Sequence, residues 1–160
     1  MKSAILQKGE NYYTQMSKIF NAIGNEQLKY NWLITDCECY CENESVNKLL
    51  SNEYIWISGK QLTDLVYSEE IQFIWGVFSG FCSEITMEEV LKSELPFANG
   101  YTNYWTKDVD IQHPLADIEI VAWDGSLTLF ISKNDNLVEK FMYSFPLSEN
   151  LLELNKRNNN

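Results

Sequence analysis

Residues 117–132 read DIEIVAWDGSLTLFIS, two alternating runs of apolar and polar residues on either side of Asp124-Gly125. Alternation with a period of two is typical of strands that bury one face, and Asp-Gly is a favoured two-residue hairpin turn. The stretch therefore predicts a β-hairpin. A two-residue turn predicts three apolar pairs on the core face: Ala122 with Leu127, Ile120 with Leu129 and Ile118 with Ile131. The other face would be mixed and would carry Glu119, Val121, Thr128 and Phe130.

Three more segments upstream of the hairpin have the composition of strands. Residues 71–81 are apolar on both faces, as expected of a strand near the middle of a sheet. Residues 54–57 form a short strand, and residues 30–41 form a long β-rich run. In that long run, alternation predicts one face shared by Leu33, Thr35, Cys37, Cys39 and Cys41.

Helical spacing of apolar residues predicts helices before and between these strands. The first helix carries an apolar stripe between Tyr12 and Ile23 and would end at Gly24, because glycine readily adopts the conformation that closes a helix. Short polar side chains that accept hydrogen bonds from free backbone N–H groups mark helix starts. The residues expected to open the later helices are Ser58, Thr86, Asn136 and Ser148.

The order of these elements predicts the fold class. We expect an α+β fold with a mixed, mainly antiparallel sheet of about five strands and helices packed against it. The chain has 160 residues, which suits one domain with one core, and no linker or repeat divides it. We therefore expect a single domain over residues 1–154, followed by a frayed polar tail at 155–160.

The charge of the chain restricts its partners. The 23 Asp and Glu residues outnumber the 12 Lys and Arg residues, which gives a net charge of −11 at pH 7. Proteins bind phosphate backbones by replacing counterions with Lys and Arg, so we expect no nucleic-acid partner. Anionic membrane surfaces are disfavoured for the same reason. An acidic surface favours fast, salt-sensitive association with a protein that has a basic surface.

The N-terminus has no apolar run longer than Ala4–Leu6, too short for the core of a signal peptide, and we expect a cytoplasmic protein. The common motifs for dinucleotides, phosphates, hydrolase nucleophiles and zinc proteases are absent, and we expect no cofactor. Thiols two residues apart on a strand lie about 6.5 Å apart, too far to close on one zinc ion. Structural thiols are therefore favoured over a metal or redox role for Cys37, Cys39, Cys41 and Cys82.

His113 is the single histidine, and it lies in a segment that also carries Asp108, Asp110 and Asp117. A histidine beside carboxylates could be a general base oriented by an aspartate, or could join them around a hard metal ion. No nucleophile on a recognisable turn accompanies it. A pocket around His113 and Asp117, in a small enzyme or a ligand-binding protein, is therefore the alternative site.

The segment 97–110 is rich in aromatic residues and has no clear periodicity. Aromatic anchors among carboxylates are typical of protein-recognition surfaces, where tyrosine and tryptophan supply contact area at low entropic cost. The alternative is that the rings fold back as a lid over the edge of the sheet. As a binding surface, the segment would use Tyr101, Tyr104, Trp105, Asp108 and Asp110.

Two further features carry a resemblance. An amphipathic N-terminal helix leads into Tyr30-x-Trp32-x-Ile34, and the hairpin ends in LFISK, residues 129–133, before another helix. This pattern resembles that of small bacterial proteins grouped as a domain of unknown function, a family that implies no catalytic or binding residues. A small acidic α+β protein without enzyme motifs is also similar to the immunity proteins that neutralise basic toxins of competing bacteria. That resemblance implies a non-catalytic domain that inhibits a basic protein partner.

Overall fold

The computed structural model describes all 160 residues and contains one antiparallel sheet. Its strands are β1 (Lys2–Leu6), β2 (Tyr30–Cys41), β3 (Tyr54–Ser58), β4 (Ile71–Cys82), β5 (Ile118–Trp123), β6 (Leu127–Ser132) and β7 (Glu149–Asn150). They lie in the order β3-β2-β4-β5-β6-β1-β7, so that β4 is near the middle. The α+β class is confirmed, but the sheet has seven strands instead of about five, and all pairs are antiparallel.

The two strands that sequence patterns missed lie together at one edge of the sheet. In β1 the last four residues are all buried, so the strand shows no alternation of apolar and polar residues against which a period of two could be recognised. β7 has only two residues and pairs with the middle of β1. A strand of that length has no periodicity, and its existence depends on tertiary contacts alone.

Six helices accompany the sheet: α1 (Met16–Ala22), α2 (Glu44–Leu50), α3 (Gly59–Ser68), α4 (Met87–Val90), α5 (Asp135–Ser144) and α6 (Leu151–Asn158). Ser58 and Thr86 cap α3 and α4 as predicted, and each accepts a hydrogen bond from a backbone N–H of the first turn. The other two predicted caps are corrected, since α5 and α6 are capped by Asn134 and Asn150 in place of Asn136 and Ser148. None of the six helices has the length and apolar character needed to span a bilayer.

The sheet is buried on both faces by two different kinds of cover. The face that carries Trp32 and Phe130, called the helical face, packs against α1, α2, α3 and α5. The face that carries Leu33 and Val121, called the loop face, packs against α6 and the largely irregular segment 83–117, which includes α4. The fold therefore has three layers, one of which has little regular secondary structure.

The predicted hairpin is present, but its register differs from the prediction by one residue. Asp124 and Gly125 both have positive φ, 52° and 64°, and the loop includes a third residue before β6 begins. Ile120 consequently pairs with Phe130, and both side chains lie on the helical face. A shift of one residue turns every side chain to the opposite face. The predicted pairs that are wrong are Ala122–Leu127, Ile120–Leu129 and Ile118–Ile131.

The predicted face of the cysteines on β2 is also wrong. Asp36 has a φ of 49°, and the pairing of β2 with β4 is irregular at this point. The resulting bulge reverses the direction of the side chains that follow, because the strand loses its simple alternation there. Leu33 stays on the loop face, whereas the helical face receives Cys37, Cys39 and Cys41. All four cysteines are free, and Cys82 is exposed at the end of β4.

The C-terminal segment 155–160 differs from the frayed tail that its composition predicted. α6 continues to Asn158, and the side chain of Asn155 is buried at 2% exposure. Asn155 Nδ2 donates hydrogen bonds to the carbonyl oxygens of Tyr104 and Thr106, each at 2.8 Å. A polar side chain thus anchors this segment to the loop face, although the segment contains no apolar residue.

Gly59, the first residue of α3, allows this helix to approach the turn at residues 26–29 closely. A Cβ atom at Gly59 would lie 2.3 Å from the carbonyl oxygen of Gln27 and 2.7 Å from that of Tyr30. Both atoms belong to the backbone, and the Gln27 oxygen also accepts a hydrogen bond from Trp32 Nε1 at 3.0 Å. No side-chain rearrangement can therefore make room for a larger residue.

We predict that Gly59→Ala lowers the free energy of unfolding by about 2 kcal/mol or more, because the helix and the turn must separate. Gly76→Ala is the matched control, since a Cβ there would lie 3.4 Å from the Phe78 ring, an ordinary contact. Its effect should stay within about 0.5 kcal/mol. Urea unfolding of both variants measures the difference, and equal losses of stability would contradict the close approach.

Candidate functional site

The aromatic residues of the segment 97–110 pack on the sheet. Tyr104 is fully buried, and Tyr101 and Trp105 are half-buried. The rings of Tyr101 and Tyr104 meet edge to face at 4.6 Å between centroids, and Trp105 meets Trp123 in the same way at 5.0 Å. The segment therefore forms a lid, as in the alternative to a binding surface, but the lid covers the face of the inner strand β5 and not the edge of the sheet. Tyr104 has no surface left for a partner.

The acidic residues of the same segment lie on its outer side. Asp108 and Asp110 are exposed, and neither forms an ion pair. One oxygen of Asp110 accepts a hydrogen bond from the backbone N–H of Ile111 at 2.7 Å, which fixes the local turn. Of the five residues predicted to bind a partner, these two carboxylates are the most accessible.

His113 holds the loop segment in place through both ring nitrogens. Its Nε2–H donates to the Val90 carbonyl at 2.8 Å, and Nδ1 accepts from the Leu115 N–H at 3.1 Å. The ring is 2% exposed and lies edge to face against Phe81. Burial lowers the pKa of His113, and the hydrogen bond to Val90 only partly opposes this shift. The imidazole therefore has no free nitrogen that could accept a proton from a substrate.

The aspartates predicted to accompany His113 have other surroundings. Asp117 is half-buried at the start of the hairpin, where its carboxylate lies 3.7 Å from Lys133 Nζ and its backbone N–H donates to the Gly80 carbonyl at 2.9 Å. Asp108 and Asp110 face outward on the lid. The residues of the predicted pocket therefore have separate roles. Asp117 forms an ion pair, Asp110 fixes a turn, and His113 bridges the backbone of Val90 and Leu115.

Glu119 is the buried titratable group to which sequence patterns assigned no role. It is fully buried on the loop face of β5, directly opposite Ser79 of β4. Tyr104 Oη donates to Glu119 Oε1 at 2.6 Å, and the Gln112 N–H donates to Oε2 at 3.1 Å. Gln112 Nε2 in turn donates to Tyr104 Oη at 2.5 Å. The available sequence signal was an acid within an otherwise apolar strand, IEIVA at 118–122.

The carboxyl of Glu119 has no cationic partner. Burial raises its pKa to about 7, although the hydrogen bonds from Tyr104 and from the backbone N–H groups of Gln112 and His113 act in the opposite direction. The negative charge of Asp110 adds to the rise. Burial, together with the nearby Glu119, raises the pKa of Tyr104 as well. The network therefore gains or loses a proton near neutral pH.

An open cleft lies on a different part of the surface, where the loop before α1, the end of β2 and the end of α3 meet the start of β4. Its volume is about 680 Å³. The walls are held by Thr14, whose Oγ1 donates to the Phe73 carbonyl at 2.7 Å, and by Tyr67, whose Oη donates to the Ser17 carbonyl at 3.1 Å. These bonds connect separate segments of the chain, so the cleft is formed before any ligand arrives.

Three tyrosines on the walls of this cleft are exposed: Tyr12 at 62%, Tyr40 at 65% and Tyr67 at 51%. Three carboxylates also line it, Glu42, Glu69 and Glu70, and no Lys or Arg does. Tyrosine rings beside carboxylates provide flat apolar surface and hydrogen-bond acceptors for a cationic group. Sequence reasoning missed this combination, because its members come from three separate parts of the chain.

Glu69 is the best-oriented carboxylate of the cleft. One of its oxygens accepts a hydrogen bond from Asn43 Nδ2 at 2.8 Å, and the other lies 3.9 Å from Cys41 Sγ. Asn43 also caps α2, so the position of the carboxylate is tied to the start of that helix. A carboxylate has about four acceptor sites. Glu69 therefore keeps capacity to bind a donor in the cleft.

Comparison of the chain with protein-family models, with curated proteins and with solved structures found no match.

Within the structure, no group of three or more His, Cys, Asp or Glu side chains is arranged to hold a metal ion. A hydrogen bond from the Cys37 thiol lowers the pKa of Cys39, and the same bond together with burial raises the pKa of Cys37. The candidate site is therefore the cleft, together with the unpaired carboxylates of the surface.

We predict that Glu119 makes the free energy of unfolding fall as the pH rises from about 4.5 to 7. The folded state holds a proton on this carboxyl up to a pKa of about 7, whereas the unfolded carboxyl has a pKa near 4.5. At about 1.4 kcal/mol per pKa unit, the loss is about 3 kcal/mol across that window. Urea unfolding at a series of pH values measures it.

Glu119→Gln is the control, because an amide reproduces the hydrogen bonds of the protonated carboxyl and cannot ionise. The lowered pKa of His113 acts in the opposite direction, since neutral His113 makes stability rise with pH up to about 6.5. The variant should therefore show a flat or rising profile from pH 5 to 7 where the wild type falls. Parallel profiles would show that Glu119 does not titrate in this range.

Proposed function

We propose that the protein is a non-catalytic interaction domain that binds a basic protein and inhibits it by occlusion, as immunity proteins do. The observation that carries this proposal is the uneven pairing of surface charge. Most Lys and Arg side chains lie within 4.0 Å of a carboxylate, whereas the carboxylates of the open cleft and of the lid have no such partner.

Because the carboxylates of the cleft and of the lid have no cationic partner, the surface is negative at these two places. A net charge of −11 on 160 residues attracts a basic protein over distances up to about one Debye length, roughly 8 to 10 Å at moderate salt. The attraction raises the rate of association more than it raises the affinity. Affinity then depends on aromatic or apolar groups that are desolvated in the contact.

The arrangement of buried polar residues supports a role in binding more than one in catalysis. The residues that could carry acid–base chemistry, His113 and Glu119, are both within the core. Glu119 accepts a hydrogen bond from Tyr104 of the lid, and His113 bonds to the backbone of Val90 and Leu115. The lid in turn presents Asp108 and Asp110 outward, where they can steer a basic partner. Inhibition would require only that the bound domain cover the functional surface of the partner.

The first test is to recover a basic partner and measure the salt dependence of binding. The immobilised protein should retain a protein of high isoelectric point from an extract of its native cells. With the purified pair, the association rate constant should fall at least about tenfold between about 25 and 500 mM salt, with little change in the dissociation rate constant. The activity of the partner should be lost at a 1:1 ratio.

A second arm of this test uses Asp108→Lys together with Asp110→Lys, which reverses two accessible charges on the lid. The net charge changes from −11 by four units, so association should become slower and less sensitive to salt. Binding that does not depend on salt, or a recovered partner that is itself acidic, would contradict the proposed function. Full partner activity in the presence of excess protein would contradict inhibition.

A further inference from the structure

Exposed aromatic rings gather at the cleft defined above. Four tyrosines of the chain are exposed by more than half, and Tyr12, Tyr40 and Tyr67 line this cleft. Exposed aromatic groups in a concave site are typical of contact regions, because they lose much solvent contact when a partner binds. Tyr67 is additionally held at its hydroxyl, so its ring is presented in a fixed orientation.

The charge of the cleft complements a cation. Glu42, Glu69 and Glu70 lie on its walls without an ion pair, and the lining contains no basic residue. The carboxylate of Glu69 is oriented by Asn43. A preorganised carboxylate costs less conformational entropy when it binds than a mobile one does. A cationic side chain that entered the cleft would therefore meet an acceptor already in position.

Arginine fits this combination better than lysine does. Its guanidinium group is planar, stacks on aromatic rings and donates two parallel hydrogen bonds to a carboxylate, whereas the lysine ammonium is compact and more strongly hydrated. The cleft volume of about 680 Å³ lies within the range of about 300–1,000 Å³ seen for ligand clefts. It can accept an arginine together with neighbouring residues of a loop.

We infer that this cleft is the docking site for an arginine-bearing loop of the basic partner, with Glu69 binding the guanidinium group and Tyr40 and Tyr67 stacking beside it. The inference rests on the proposed function and adds the place and chemistry of contact. It differs from binding through the lid, which would use Asp108 and Asp110.

The test is a nuclear magnetic resonance titration of the full ¹⁵N-labelled chain with an acetylated and amidated Gly-Arg-Gly peptide at low salt. A second peptide carries citrulline, which is nearly isosteric with arginine and uncharged. The arginine peptide should shift the amide signals of residues 40–42 and 66–73, and the citrulline peptide should bind at least about fivefold more weakly. Equal binding of both peptides, or shifts spread evenly over all acidic surfaces, would overturn the inference.

Single substitutions distinguish binding in the cleft from general attraction between the peptide and an acidic surface. Glu69→Gln should weaken binding of the arginine peptide at least about fivefold, and Tyr40→Ala at least about threefold, as expected for a charged hydrogen bond and a cation–π contact. Asp108→Asn removes one charge elsewhere and should weaken binding less than about twofold. Unchanged amide spectra away from the substituted residue would show that each variant is folded. Equal effects of Glu69→Gln and Asp108→Asn would overturn the inference.

The same variants distinguish a failure of the docking site from a failure of the proposed function. A basic partner that is bound and inhibited by the wild type, and equally by Glu69→Gln and Tyr40→Ala, would remove the cleft and leave the proposed function in place. Absence of any basic partner would remove the proposed function itself. A partner whose dissociation is accelerated at least about fivefold by both variants would support the docking site.

Discussion

The fold depends on the burial of an irregular segment, residues 83–117, against one face of the sheet. Both faces of β4 are apolar, so both need a cover, and only the helical face receives one made mainly of helices. The loop face is covered largely by residues 83–117, most of whose backbone N–H and carbonyl groups lie outside regular elements. Buried backbone groups without partners are costly, and side chains must therefore supply the missing hydrogen bonds.

Several polar side chains meet this requirement, and one of them, His113, was a candidate functional residue in the sequence alone. Asp36 accepts hydrogen bonds from the N–H groups of Ala98 and Asn99, and Gln112 bonds both backbone groups of Phe97. The same purpose is served by Glu119, His113 and Asn155. Polar residues in loops usually mark function because loops usually lie on the surface. Here the inner side of the loop segment packs on the sheet, so the same residue types maintain the fold.

Sequence patterns predicted the elements of the fold well where local signals were sufficient. The strand at 71–81 follows from a long apolar run, and the hairpin at Asp124-Gly125 follows from side-chain periodicity and turn chemistry. The predicted hairpin register was wrong because the loop has one more residue than predicted. β1 was missed because it is buried on both faces and so lacks alternation, and because its apolar run, Ala4–Leu6, is much shorter than that of β4. The cleft could not be predicted at all. Its tyrosines and carboxylates come from three distant segments, and only the packing of α1 and α3 over the ends of β2 and β4 brings them together.

Asp36 links the lid to the strand that forms one wall of the cleft. Its positive φ is a conformation that aspartate adopts more readily than most residues, and its carboxylate docks the start of the lid. The bulge it creates turns the second half of β2, so that Cys41 packs among the helices while Tyr40 stays exposed at the cleft. Asp36 thus both holds the lid on the sheet and sets the side-chain directions of the β2 residues that line the cleft. The lid need not move for the cleft to bind, because the hydrogen bonds that shape the cleft, from Thr14, Tyr67 and Asn43, are already formed.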